Sequence, residues 1–125
     1  MTFGNKTPCM VTWAKFLDKT NGQMFYHMNT HLDYLCEEER IREAELIAEK
    51  VKELQLDFPV FLTGDFNLDV QTKPFDILTK KGSFIDTWDL VANLINKNYG
   101  KMNDFKYVNG GDRRIDWILV RGSIK

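Results

Sequence analysis

Three oxygen-bearing side chains, Asp65, Asn67 and Asp69, stand at alternate positions in the stretch FLTGDFNLD, directly after an apolar run. Alternate residues of an extended chain point the same way, so Asp65 and Asn67 can act together. A carboxylate that polarises water beside a carboxamide that holds a phosphate or oxyanion oxygen makes a hydrolytic pair. Gly64, just before them, removes a side chain and lets a substrate or a neighbouring backbone come close. Taken alone, the tetrad GDFN reads equally as an Asx-type turn after a strand. As a calcium loop the stretch supplies the first three ligand positions of a D-x-N-x-D pattern. The sixth position, however, is Val70 where such a loop needs Gly, and the twelfth is Asp76 where a bidentate Glu is usual. The segment before it is also strand-like, so an EF-hand is set aside and Asp69 is read as an ordinary loop residue.

A second group lies in YHMNTHLD, where His27, Asn29 and His31 alternate along a segment of strand character. Histidine can donate to a phosphoryl oxygen or shuttle a proton near neutral pH. His27 has no motif around it and reads as a satisfied polar residue. The HxxxH spacing does not read as zinc, because the pattern is strand and the Glu expected after the first His is missing. The third group is RRIDWILV, in which Asp116 is the one acidic residue of an apolar strand and so needs a partner. It could orient and charge-stabilise a histidine, or form an ion pair with Arg113 or Arg114.

The elements that must position these residues follow from periodicity. CMVTWAKFLD and MFYHMNTHLD read as two strands joined by a hairpin turn through Asn21-Gly22. From Glu37 to Leu54 the period changes: Ile41, Ala44, Ala48 and Val51 take three-and-four spacing, with Ile47 and Leu54 widening the stripe. Glu37, Glu38 and Glu39 suit a first helical turn, and Glu38 can pair with Arg42 one turn on. FPVFLTGD is a short, nearly continuous apolar strand of interior type. KPFDILTKKG reads as a short helix closed by Gly82. DTWDLVANLINK reads as another, with Asp86 as N-cap and Trp88, Val91, Leu94 and Ile95 inward. Tyr99 to Asp112 is loop-rich with a short strand near Phe105 to Val108. RRIDWILVRG closes as a strand with Ile115, Trp117 and Leu119 alternating against Asp116, Ile118 and Val120. Several strands are apolar on both faces, and so few helices cannot cover both sides of a sheet.

Composition sets the outer limits. The 125 residues suffice for one domain, and 43% hydrophobic with 28% charged residues is globular rather than disordered. A net charge of -1 supplies no basic field for nucleic acid. No apolar run approaches the ~18–20 residues of a membrane span, and MTFGNKTPCM has no signal-peptide core. Cys9 and Cys36 give neither CxxC nor zinc spacing. They read as free thiols in a reducing, cytoplasmic compartment, with one disulfide left open.

In their order, NTHLD, a helix, PVFLTGDFN, a helical stretch and RIDWILV together resemble the endonuclease/exonuclease/phosphatase superfamily. The likeness is to its bacterial branch, in which TWAKF precedes the NTH strand, and it runs from about Pro8 to Val120. The resemblance implies a metal-dependent phosphoester hydrolase, nuclease or phosphatase, in which water attacks phosphorus in line. Asp65 then looks like the residue that orients or deprotonates the water, and Asn67 like the one that positions water and phosphate. His31 would stabilise charge on a phosphoryl oxygen, Asp116 would support a second histidine, and Asn29 would line the substrate side of the same strand. The implied ion is Mg2+ or Mn2+, with Asp65 and Asn67 as a partial site.

The likeness covers only the middle and later parts of that family's domain. The first half, with an early Asn and the metal-binding Glu, should precede TWAKF, and a closing SDH motif should follow RIDWILV. Tyr34 also stands where the bacterial branch often has His. Residues 1–125 are therefore expected to be one partial domain, weak or lacking in metal binding and inactive alone. The fold expected is a partial four-layer α/β sandwich: one mixed sheet, helices on one face, the other exposed or covered by a second copy in a homodimer. The alternative function is a non-catalytic binding or interaction module that retains the scaffold.

Overall fold

The protein is described by a computed structural model, which places residues 9–54, 57–91, 93 and 113–122. Strand β1 (Val11–Leu17) turns back into β2 (Met24–His31), with Val11 opposite Thr30 and Leu17 opposite Met24. The turn between them is held locally. Asn21 Oδ1 accepts from the Gln23 amide at 2.8 Å, and Gly22 takes φ 74°, the left-handed region that its missing Cβ permits.

Helix α1 (Glu37–Glu53) carries the chain from β2 to β3 (Val60–Asp65), which lies parallel to β2. A parallel neighbour needs such a crossover. Helix α2 (Lys73–Asp76) follows and runs on into a π-turn over Ile77–Lys81, where the Gly82 amide reaches back to Ile77 O at 3.0 Å. Short β4 (Ile85–Asp86) and β5 (Asp116–Arg121) complete one mixed sheet in the order β1-β2-β3-β5-β4. Every pairing except β2–β3 is antiparallel.

Strand alternation divides the sheet into two unlike faces. Met28 of β2, Val60 and Leu62 of β3, and Trp117 and Leu119 of β5 turn toward Ala44, Ile47 and Val51 of α1 and join one buried cluster. Phe66 stacks on Trp117 at 4.2 Å, and Phe75 meets the same indole edge-on at 5.2 Å. The opposite face carries His27, Asn29 and His31 of β2, Phe61, Thr63 and Asp65 of β3, and Asp116 and Ile118 of β5. Among the described residues no helix covers it. The expected architecture, one mixed sheet with helices on a single face, is the one found.

Three expectations need correction. Arg42 lies 3.8 Å from Glu39, not Glu38, because Glu39 is the member of the acidic triplet that turns inward. Ile41 is only half-buried, and the stripe instead includes Glu43, at 1% exposure. Where a helix was expected after Asp86, the described residues form a 3₁₀ turn, Thr87–Asp89, and Val91 is exposed rather than inward. Asp86 does cap that turn, accepting from the Trp88 amide at 3.1 Å. It also belongs to β4 and receives the Arg114 guanidinium through both carboxylate oxygens. These ties hold the segment to the sheet instead of letting it coil away. Leu94, Ile95 and the expected strand near Phe105 lie outside the described residues.

Candidate functional site

The register of three strands places the chemistry-bearing residues in one row. His31 is opposite Asp65, and Asp65 is opposite Asp116, so β2, β3 and β5 each deliver one side chain at the same level. His31 Nε2 is 3.8 Å from Asp65 Oδ2. The His31 side chain is 69% exposed against 20% for Asp65, so the pair lies at a surface where a ligand can reach it. Asp65 and Asp116 bring two carboxylates to facing positions of adjacent strands.

The GDFN tetrad builds its part of the row in four steps. At Gly64 the chain comes so close to β2 that a Cβ would sit 2.0 Å from Thr30 O. The sequence left open whether a substrate or a backbone uses that space; the backbone of Thr30 does. Asp65 ends the strand on the open face, and its carbonyl accepts from the Leu32 amide at 3.0 Å. Phe66 turns to the other side, is fully buried and anchors the corner on Trp117. Asn67 then adopts φ 55°, a conformation its short polar side chain tolerates.

Asn67 is stitched in from both ends. Its backbone N–H donates to Asp65 Oδ1 at 3.0 Å, the Asx-type turn that the tetrad alone suggested. Its Nδ2 donates to Leu32 O at 2.6 Å, joining this loop to the end of the NTHL strand. The turn reading and the site reading are therefore compatible: the turn is what fixes the side chains. Asp69 serves its own loop, accepting from the Val70 amide at 2.8 Å through Oδ1 and from Thr72 Oγ1 at 2.7 Å through its carbonyl.

Asn29 lies one level further from the strand ends, opposite Thr63. Thr63 Oγ1 donates to Asn29 Oδ1 at 2.9 Å and is itself 2.8 Å from His27 Nε2. His27 is thus satisfied by a neighbour, as its lack of a motif suggested. Thr63 was not singled out in the sequence, although its place two residues before Asp65 on the same face was the available signal. Of the two arginines offered as partners for Asp116, Arg114 is committed elsewhere, to Asp86 and to the Trp88 ring 4.6 Å away.

A supporting group missed in the sequence sits behind the row. Asp33, the last residue of NTHLD, is 5% exposed and accepts from the amides of Leu35 and Cys36 at 2.8 and 2.7 Å, shaping the entry to α1. Its own amide donates to Glu43 Oε2 at 3.0 Å. Burial pushes the Glu43 carboxyl above its ordinary range. Burial likewise raises the Cys9 thiol to about 11, helped by a hydrogen bond with Glu43 and by the charges of Glu43 and Asp33. Cys9 and Cys36 form no disulfide.

Metal-holding capacity is limited. Among the described residues no group of three or more His, Cys, Asp or Glu side chains is placed to hold an ion. Asp65 and Asn67, joined by the Asn67 N–H to Asp65 Oδ1 bond, are too few donors for magnesium, which takes about six oxygens. No described helix is long and apolar enough to cross a membrane.

Comparison with known proteins gives a consistent picture. The model of the Endonuclease/Exonuclease/phosphatase family matches residues 2–125. None of the curated proteins compared with the chain matches it. Among solved structures, a mannosyl-6-phosphatase of Bacteroides thetaiotaomicron is 32% identical with a TM-score of 0.81, over 93% of this chain and 44% of its own. An endonuclease/exonuclease/phosphatase family protein from the same species is 30% identical, TM-score 0.83, over 94% of this chain and 43% of its own. An endonuclease/exonuclease/phosphatase from Bacteroides vulgatus is 32% identical, TM-score 0.78, over 90% and 43%. The chain thus spans less than half the length of the solved structures it matches.

Proposed function

The chain belongs to the Endonuclease/Exonuclease/phosphatase family, and from that premise we propose that its open sheet face is one part of a phosphoester-hydrolysing site. The observation that carries this reading is the row His31–Asp65–Asp116 across three adjacent strands, with Asn67 tied to both Asp65 and Leu32. Water attacks phosphorus in line. Asp65 takes the proton from that water; its Oδ1 accepts from the Asn67 amide and its Oδ2 lies on the His31 side. With its Nδ2 turned to Leu32, Asn67 presents Oδ1 to the water and keeps a second N–H for a phosphate oxygen. His31 donates to a phosphoryl oxygen as negative charge grows there. Asp116 orients a histidine supplied from outside the described residues.

A divalent ion, Mg2+ or Mn2+, would polarise the phosphate when bound. The donors described do not complete a site for it, so Asp65 and Asn67 alone would hold it weakly. We take residues 1–125 as a partial domain, inactive without the remaining donors, and its open face as the surface that a second copy covers in a homodimer. Likeness to the mannosyl-6-phosphatase favours a phosphate monoester over duplex nucleic acid, as does a net charge of -1.

The test is turnover of p-nitrophenyl phosphate and its bis ester with Mg2+ or Mn2+. It compares the chain alone with the chain joined to both the first half and the closing SDH segment of a family relative. No turnover is expected alone. The joined protein should give metal-dependent turnover, reduced at least about 100-fold by Asp65→Ala and little by Asp69→Ala. Turnover by the chain alone that Asp65→Ala abolishes would sink the partial-site reading, while indifference of the joined protein to Asp65→Ala would remove the role given to Asp65.

A further inference from the structure

Behind the row runs a polar chain of three side chains on two levels of two strands: His27 Nε2, Thr63 Oγ1 2.8 Å away, and Asn29 Oδ1 2.9 Å beyond. A threonine hydroxyl has one proton. Thr63 gives it to Asn29 Oδ1, so the contact with His27 needs a hydrogen supplied by the ring, and His27 must carry its proton on Nε2. The chain therefore has a direction, from His27 through Thr63 to Asn29. Its output is the amide of Asn29. With Oδ1 engaged, Nδ2 has no protein partner among the described residues and faces away from Thr63, on the exposed side of β2.

The same heavy atoms could carry the chain in reverse. Asn29 Nδ2 would then donate to Thr63, Thr63 to His27 Nε2, and the histidine would hold its proton on Nδ1. In that case Asn29 would present a lone pair to the open face, which suits a cation. In the forward direction it presents N–H groups, which suit an anion. Two features favour the forward direction. Asp65 stands diagonally across from Asn29, two residues beyond its cross-strand partner Thr63, and favours the positive end of the amide dipole on its side. The described row also has many acceptor oxygens and few donors, whereas a phosphoryl group needs donors.

We propose that His27 and Thr63 are positioning residues that fix the direction of the Asn29 amide, so that its Nδ2 hydrogens are held out for a phosphate oxygen. The inference rests on the phosphoester reading of this face for its ligand, but its direction can be tested without one. Thr63 suits the task because its branched side chain has few rotamers. His27 suits it because a protonated ring keeps the same Nε2–H, so protonation does not reverse the chain.

The experiment uses the whole 125-residue chain. Long-range 1H–15N correlation at a pH where His27 is neutral reports which ring nitrogen carries the proton. The Nε2–H form is expected in the wild type and in Thr63→Ser, and a mixture of tautomers in Thr63→Val. Inorganic phosphate is then titrated while the Asn29 side-chain NH2 signals are followed. They should shift in the wild type and in Thr63→Ser, with roughly tenfold weaker apparent binding in Thr63→Val. His27→Phe, which leaves Thr63 in place, should weaken it in the same sense and covers a Thr63→Val that fails to fold. His27 found as Nδ1–H would overturn the proposal, as would a phosphate response unchanged in Thr63→Val. Nε2–H in a wild type whose open face ignores phosphate would support the chain's direction and count instead against the phosphoester reading.

Discussion

Glu43 is the more deeply buried of the two glutamates that α1 turns inward, and its carboxylate is the acceptor for the Asp33 amide behind the NTHLD corner. Burial raises its pKa, so the folded protein binds this proton more tightly than the unfolded chain does. Its stabilising contribution is complete below the ordinary value of 4.5 and is lost as pH rises through the higher folded value. Glu43→Gln removes that dependence and keeps an oxygen for the Asp33 N–H. Urea midpoints measured from acid to neutral pH should fall for the wild type relative to Glu43→Gln across that window. Equal slopes would show that Glu43 ionises as it does in the unfolded chain. Cys9 supplies a second readout of the same cluster. A thiol raised from 9.0 to about 11 has roughly a hundredfold less thiolate at neutral pH. Iodoacetamide should therefore modify Cys9 slowly in the wild type and faster in Glu43→Gln, which loses the neighbouring charge.

At the scale of elements, the approach of β3 to β2 at Gly64 decides whether the row can form. A Cβ there would meet Thr30 O at 2.0 Å and Thr30 C at 2.9 Å, both backbone atoms of a central strand, at φ 158°. Neither can yield without parting the parallel pair that aligns His31 with Asp65. Gly64→Ala should cost about 3 kcal/mol, the sum of overpacking and backbone strain. Thermal unfolding measures it, and a loss below about 1 kcal/mol would mean that the strands separate easily. The need for glycine was legible in the sequence; its reason was not, because the contact is between strands separated by α1. The hairpin, α1, β3 and β5 were legible for the opposite reason. Each carries its own periodicity, and the Asn21-Gly22 turn and the acidic first turn of α1 are local signals. Just after Asp86 the described residues form a 3₁₀ turn rather than a helix, and the distant Arg114, which the local spacing does not show, claims the same carboxylate. Likewise the residues of the row were legible as motifs, whereas the Thr63 relay is a product of strand register, which no single segment contains.

For the molecule as a whole, the open face sets the problem. Phe16 and Ile118 lie on it at 45% and 53% exposure, and Phe16, Phe25 and Phe61 form a ladder with ring spacings of 5.4 and 5.7 Å. A contiguous apolar surface of this kind is seldom left in water. A second copy is the occupant present in a solution of the purified chain, and a two-fold arrangement would lay one open face on the other. Four strands about 4.8 Å apart and about 20 Å long, with the two-residue β4 adding little, give a face of roughly 400 Å², below the ~800 Å² per partner of a stable complex. The dimer should therefore be weak, with dissociation in the micromolar range or above. Sedimentation from about 1 to 100 μM should show a concentration-dependent shift toward twice the monomer mass. Ile118→Lys should abolish it without unfolding the chain, since Ile118 already faces outward. A strictly monomeric profile over the whole range would rule out this face as a self-association surface. A dimer that survives Ile118→Lys would move the contact to the groove of about 390 Å³ between β1 and α1, where Met10, Trp13 and Leu46 supply the apolar lining.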